Sequence, residues 1–274
     1  MKIVVFDLDE TLGSFVELGI FWDCLNRYLI KDPKKDLLKD DFYNTLDLYP
    51  EFLRPGIIDI LNYLKNKKIS NCCKKLMIYT NNQGPESWAK NLISYFEKKI
   101  NHPLFDQLIA AFKINGKRVE ICRSSHDKSY NDLIKCTKLP KTAEFCFIDD
   151  VYHPKMYNKN IYYINLKPYT YDLPFEEMID RFVHSEMGKK YLNKDNDFVN
   201  YMNRELKLYN YSCVEKKKDD YDIDKILSKQ ILIYLQDFFN KKPRTIIQSS
   251  GSGTSKNKTK KNRIYANKTR KYKY

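Results

Sequence analysis

An apolar run that ends abruptly in two carboxylates limits what this chain can become. Lys2-Ile3-Val4-Val5-Phe6 has the character of a parallel strand buried on both faces, and Asp7 and Asp9 follow it at i and i+2. While the chain stays extended the two acids point the same way, so two negative charges meet at a buried strand end. Such a pair is unfavourable unless a cation or a reacting group lies between them. Taken alone, the same residues read about as well as a strand entering a polar turn with a Glu/Thr helix start.

The rest of the chain supplies the context. Residues 75–81, 108–113, 144–150 and 161–166 repeat the short apolar pattern of residues 2–8, and residues 57–67, 86–99 and 131–136 carry apolar side chains at helical spacing between them. Alternation of this kind predicts βαβ units and an α/β, Rossmann-like, doubly wound parallel sheet, whose site lies beyond the carboxyl ends of the strands. Asp7, Thr80 and Asp149 each fall at such an end, so one cleft could collect all three. Residues 15–30 read as helical and 32–41 as a charged connection, within an insertion between Thr11 and Pro55. Residues 175–192 and 224–240 read as amphipathic helices joined through a charged link at 215–224. The expected organisation is a catalytic core over residues 1–170 with a small helical cap insertion at about 13–54, a C-terminal helical extension over 171–246, and a disordered basic tail over 247–274.

With 274 residues the chain is long enough for one such domain and extra helices. No apolar run reaches the roughly 18 residues of a membrane span, and Asp7 interrupts the first one too early for a signal peptide. Seven cysteines, an odd number without Cys-x-x-Cys, read as reduced and mostly structural thiols, which suits an intracellular protein, cytoplasmic or nuclear. The formal charge of +14 is concentrated: nine Lys/Arg and no acid follow Ser255. Interleaved with Tyr265, Tyr272 and Tyr274, they suit a phosphate backbone, although a solubilising or localising tail is the commoner use.

Three further segments bear on the chemistry. Leu76-Met77-Ile78-Tyr79-Thr80-Asn81 ends a strand in a hydroxyl that can donate to a phosphate oxygen without adding charge. Lys128 opens a short helix as a cation for an anionic substrate. Phe145-Cys146-Phe147-Ile148-Asp149-Asp150 is a second buried strand ending in paired acids, a donor set suited to Mg²⁺. In this order, and on this strand alternation, the four segments resemble the motifs of the haloacid dehalogenase superfamily of phosphohydrolases, over roughly residues 1–166. With Phe52-Leu53-Arg54-Pro55-Gly56, the chain looks like the branch of nuclear-LIM-interactor-factor-like and RNA polymerase C-terminal-domain phosphatases. That branch has a short β-stranded insertion where this chain is helical after Leu12. The lysine- and asparagine-rich composition is similar to that of large DNA virus products.

The resemblance implies a nucleophilic Asp7 that forms an aspartyl phosphate, and an Asp9 that protonates the leaving oxygen and then takes a proton from water. It implies Mg²⁺ held by Asp7, Asp149, Asp150 and the main-chain carbonyl of Asp9, phosphoryl oxygens oriented by Thr80 and Asn81, and a lysine that fixes Asp7 and the phosphate. Lys113 also ends a predicted strand, but Lys128 has the family's spacing, 21 residues before Asp149. Thr11 is expected to stabilise the turn, and His126 and His153 flank the site in sequence. A small cap leaves the site open, which favours a phosphoprotein; nucleotides, nucleic-acid ends and small metabolites are the alternatives, and a non-enzymatic nucleic-acid-binding or recruiting protein using the tail is the rival class.

Overall fold

β1 (Lys2–Phe6) is the middle strand of the fold that its apolar run predicts. In this computed structural model, which describes residues 1–31, 37–192 and 195–241, the chain continues through α1 (Val16–Leu29), α2 (Lys39–Asp47), α3 (Ile57–Ile69), β2 (Lys75–Tyr79), α4 (Glu86–Lys99), β3 (Gln107–Ile109), β4 (Lys113–Ile114) and β5 (Lys117–Arg118). It then forms α5 (Tyr130–Thr137), β6 (Glu144–Asp149), β7 (Ile161–Asn165), α6 (Phe175–Val183), α7 (Glu186–Tyr191), α8 (Asp195–Lys207) and α9 (Lys218–Asn240). Five strands make one parallel sheet in the order β3-β2-β1-β6-β7, the α/β architecture expected from the alternation. The basic tail and its Ser/Gly-rich lead lie outside the described residues. No helix among the described residues is long and apolar enough to cross a membrane.

The period of two in β1 divides the core. Val4 and Phe6, with Leu76, Ile78, Cys146 and Ile148, face the larger apolar cluster, while Ile3 and Val5, with Met77, Tyr79, Phe145 and Phe147, face the smaller one. The second face meets α5 through Leu133 and Cys136. The first is covered by all the other helices. Leu18, Phe21, Leu25 and Leu29 of α1 fall at helical spacing and are buried there, beside Phe182 of α6 and Phe198 of α8. Residues 13–54 and the C-terminal helices therefore share one core with the sheet, and residues 1–241 form one compact unit.

Several boundaries correct the expectations. Four of the five sheet strands end one or two residues earlier than predicted; in β1 and β2 the last cross-strand bonds are those from Asp7 N to Ile148 O at 2.9 Å and from Thr80 N to Ile109 O at 3.0 Å, and the chain beyond them turns into loops. The strand expected over 108–113 stops at Ile109 and is followed by the β4–β5 hairpin, whose turn Asn115-Gly116 has positive φ at both residues (49° and 76°). The charged connection expected through residue 41 already contains the first turn of α2. The helix expected over 175–192 breaks at Ser185, whose Oγ accepts from Gly188 N at 3.1 Å and caps α7. Finally, α9 begins at Lys218, within the expected charged link.

One buried acid in α1 ties the C-terminal segment to the core. The Tyr211 hydroxyl lies 2.5 Å from Glu17 Oε1 and 2.8 Å from Asp172 Oδ1. A phenol has one hydrogen, so one of these contacts must be donated by a carboxyl. Burial pushes Glu17 up to about 8, against the hydrogen bond from Tyr211, so Glu17 carries that proton at neutral pH. The folded value lies above the ordinary 4.5, so this contribution to stability is complete below about 4.5 and is lost as pH rises through about 8. Glu17→Gln is therefore expected to flatten the alkaline side of the stability profile. Between pH 5 and pH 8.5, urea unfolding should show the parent losing roughly 2–5 kcal/mol relative to the variant; parallel profiles would place the proton elsewhere.

Candidate active site

The carboxyl ends of β1, β2 and β6 bring the singled-out residues together. Lys128, in the loop before α5, is 1% exposed; its Nζ donates to Asp7 Oδ1 at 2.5 Å and to Asp149 Oδ2 at 2.7 Å. Lys113 lies instead on the β4–β5 hairpin, with its ammonium 5.3 Å from the Phe112 ring centre. Asp7, Asp149 and Asp150 each offer a carboxylate oxygen within 4.8 Å of the others. Thr11 Oγ1 donates to Asp150 Oδ1 at 3.0 Å, so it anchors Asp150 as well as the turn. Asp9 faces elsewhere: its Oδ2 accepts from Asn82 Nδ2 at 2.8 Å, which leaves its main-chain carbonyl as the group expected at a metal.

The charges follow from these neighbours. Burial works against ionisation of Asp149, but Lys128 and His153, whose Nε2 is 3.4 Å away, outweigh it and hold the carboxyl below its ordinary value. One ammonium cannot serve two carboxylates equally. Burial raises Asp7 well above the usual range despite Lys128, with Asp149, Asp150 and Asp9 adding repulsion. Burial likewise raises Asp9 against the Asn82 hydrogen bond, and raises Asp150 with help from Asp149. Burial lowers the Lys128 value, but Asp7 and Asp149 together hold it above the ordinary one, so the ammonium stays charged. Asp149 and Lys128 thus balance one another, and the oxygens of Asp7 and Asp150, whose raised values favour their neutral forms, complete a donor set that fits Mg²⁺ once a cation displaces their protons.

The loop after β2 places a buried hydroxyl at the same end of the sheet. Thr80 is buried, and its Oγ1 accepts from Asn82 N at 2.9 Å, which leaves the hydroxyl hydrogen for a phosphoryl oxygen. Asn81 is exposed, and its Oδ1 accepts from Arg123 Nη2 at 2.7 Å. Arg123 is fully buried and also donates to the carbonyls of Thr80, Ala110 and His126, so one guanidinium joins the Thr80 turn to the Lys128 loop. Arg54, equally buried, does the same on the other side, donating to the carbonyls of Thr11, Glu10 and Lys167. It braces Glu10, a non-glycine residue at φ 51° immediately after the two acids.

Sequence reasoning missed Arg123 and Asn82. A lone arginine in a loop carries no pattern, and Asn82 differs from Asn81 only in which way the turn points it. The expectation of reduced thiols is corrected at Cys122 and Cys136, which form a disulfide with Cα atoms 5.0 Å apart. Their 14-residue separation resembles no motif, and only the packing of α5 against the 119–125 loop makes them neighbours. Cys24, Cys72, Cys73, Cys146 and Cys213 are free.

No protein-family model matches the chain, and no curated protein matches it. Among solved structures, it is similar to a phosphoserine phosphohydrolase-like protein from Francisella tularensis subsp. tularensis SCHU S4, with 20% identity, a TM-score of 0.29, and coverage of 56% of this chain and 80% of that one. A likeness so slight assigns nothing to the site, whose reading rests on its own geometry.

Proposed function

We propose that the chain is a Mg²⁺-dependent phosphohydrolase of the haloacid dehalogenase type, acting on a phosphate carried by a macromolecule. One observation carries the reading: the Lys128 ammonium bridges Asp7 and Asp149, with Asp150 beside them. An Asp7 oxygen bonds to phosphorus as the ester P–O bond breaks, and the leaving oxygen takes the proton of Asp9. A water then bonds to phosphorus, Asp9 takes its proton, and phosphate leaves with Asp7 restored. The raised value of Asp9 keeps that proton available nearer neutral pH than an ordinary aspartate would. Mg²⁺, held by Asp7, Asp149, Asp150 and the Asp9 carbonyl, would offset the repulsion between carboxylate and phosphate. Lys128 fixes Asp7, and Thr80 and Asn81 orient the phosphoryl oxygens.

The exposed rim at Asn81, Val151 and Tyr152 supports a substrate too large to be enclosed. Phosphoproteins, as in the C-terminal-domain phosphatase branch that the chain resembles, and the phosphorylated ends of nucleic acids are both substrates of that size. Acetyl phosphate, which needs no recognition beyond its phosphoryl group, tests the chemistry. Hydrolysis should require Mg²⁺, stop with EDTA and resume when Mg²⁺ is restored; turnover unaffected by EDTA would remove the metal from the reading.

A further inference from the structure

The rim carries more than an opening. In a parallel sheet all strands end at one edge, so the β4–β5 hairpin after β3 and the 150–157 loop after β6 both stand on the side of Asp7. Three strand spacings separate them, about 14 Å, with the nucleophile strand between. On the β6 side the Tyr152 ring stacks on Tyr163 at 5.6 Å and 19°. Tyr163 is itself held, donating to Val151 O at 2.8 Å, accepting from His153 N at 2.9 Å, and packing edge-on against Phe147. Tyr152 is thus the outermost member of a rooted aromatic pile three residues beyond Asp149. It is 59% exposed, and no second ring covers it among the described residues.

On the β3 side the hairpin carries Lys113, Lys117 and Arg118. Arg118 is used internally, donating to the carbonyls of Ile121 and Arg123. Lys113 and Lys117 pair with no acid among the described residues. The hairpin is braced to the Lys128 loop, since the Phe112 ring packs against His126 at 5.5 Å and both Lys113 and Arg118 lie over it. By strand order the edge therefore offers a stacking face, the Asp7 site and two lysines that pair with no acid among the described residues.

Resting on the phosphohydrolase reading, we propose that the substrate is the phosphorylated end of a single-stranded nucleic acid. Its terminal base stacks on Tyr152, its terminal phosphate enters beside Asp7, and its next phosphate meets Lys113 and Lys117. A sugar above the site branches to a base on one side and to a phosphodiester on the other, which matches a ring and a second anion on opposite flanks. A phosphopeptide supplies one phosphate on a mostly neutral backbone and leaves both flanks unused. Stacking tolerates any base, so recognition is of the end and not of the sequence.

The test compares kcat/KM of the full chain on 3′- and 5′-phosphorylated oligodeoxynucleotides, a mononucleotide, a phosphoserine peptide and acetyl phosphate. The oligonucleotide is expected to exceed the peptide by at least about tenfold. Tyr152→Ala should lower the ratio of oligonucleotide to acetyl phosphate kcat/KM roughly five- to a hundredfold, with Tyr152→Phe restoring it. Lys113→Gln with Lys117→Gln should lower the oligonucleotide more than the mononucleotide and make its KM less salt-dependent. A preference for the peptide, or a Tyr152→Ala loss equal on all substrates, would overturn the proposal while leaving the phosphohydrolase intact. Failure to turn over acetyl phosphate would instead remove the chemistry on which both rest.

Discussion

Asp7→Asn should give a folded protein whose turnover of acetyl phosphate is lower by at least about 10⁴-fold, the scale expected when a nucleophile is removed. The carboxamide fills the same space but cannot bond to phosphorus and regenerate. Loss of activity alone would not separate chemistry from misfolding, so the expected stability matters as much. In the parent, burial raises Asp7, which means the folded state holds its proton more tightly than the unfolded chain. Stability from that group is present at low pH and is lost as pH rises through the raised value. Asparagine has no charge to bury, and it leaves Lys128 to pair with Asp149 alone. In EDTA at pH 8 the variant should therefore melt at or above the parent temperature, while the Mg²⁺-induced rise in Tm shrinks because one ligand is gone. Melting well below the parent would mean that the Asp7–Lys128 contact contributes more than burial costs, and that the Asp7 charge is structural.

Much of this site was legible because its acids interrupt apolar runs. A carboxylate at the end of β1 or β6 is conspicuous against Ile3-Val4-Val5-Phe6 or Phe145-Cys146-Phe147-Ile148, and the alternation of elements brings those ends to one edge. Lys128 was legible only through the spacing of the family that the chain resembles; nothing in its own neighbourhood distinguishes it from the other basic residues. Arg54 was legible only as a member of the 52–56 segment and Arg123 not at all, since apart from Asn81 their hydrogen-bond partners are main-chain carbonyls, which every residue possesses.

Among the helices, α8 shows buried Phe198, Met202 and Leu206 four residues apart, a stripe diluted by charged and amide side chains on its other faces. In α2 only Phe42, Tyr43 and Leu46 supply apolar signal among acids and amides. The hairpin has a readable turn in Asn115-Gly116, but its strands are only two residues each, too short for any alternation to show.

Lys128→Met is expected to cost more stability than any surface substitution and to make the protein depend on a metal for what the ammonium now does. The side chain has nearly the same length, so the change removes charge and two hydrogen bonds while leaving little cavity. Asp7 and Asp149 would then face each other, with Asp150 within 4.8 Å, and no cation between them. Breaking a buried ion pair from one side typically costs about 3–5 kcal/mol, and that loss is expected for the variant in EDTA at pH 8. Protonating one carboxyl replaces repulsion by a shared hydrogen. The deficit should therefore shrink as pH falls and be largest above the raised carboxyl value, the direction required of acids that bind protons more tightly when folded. Mg²⁺ should stabilise the variant more than the parent, because a cation entering the variant meets the full charge of the acids and no competing ammonium. Activity should nevertheless fall by roughly 10²–10³-fold even with saturating Mg²⁺, since the hydrogen bond that fixes the Asp7 carboxylate and the second positive charge facing the incoming phosphate are both gone. Thermal melts with and without Mg²⁺ at pH 5.5 and pH 8 check each part. An equal Mg²⁺ shift in variant and parent would show that the metal and the ammonium act on separate charges, and that the three acids are not a single electrostatic unit.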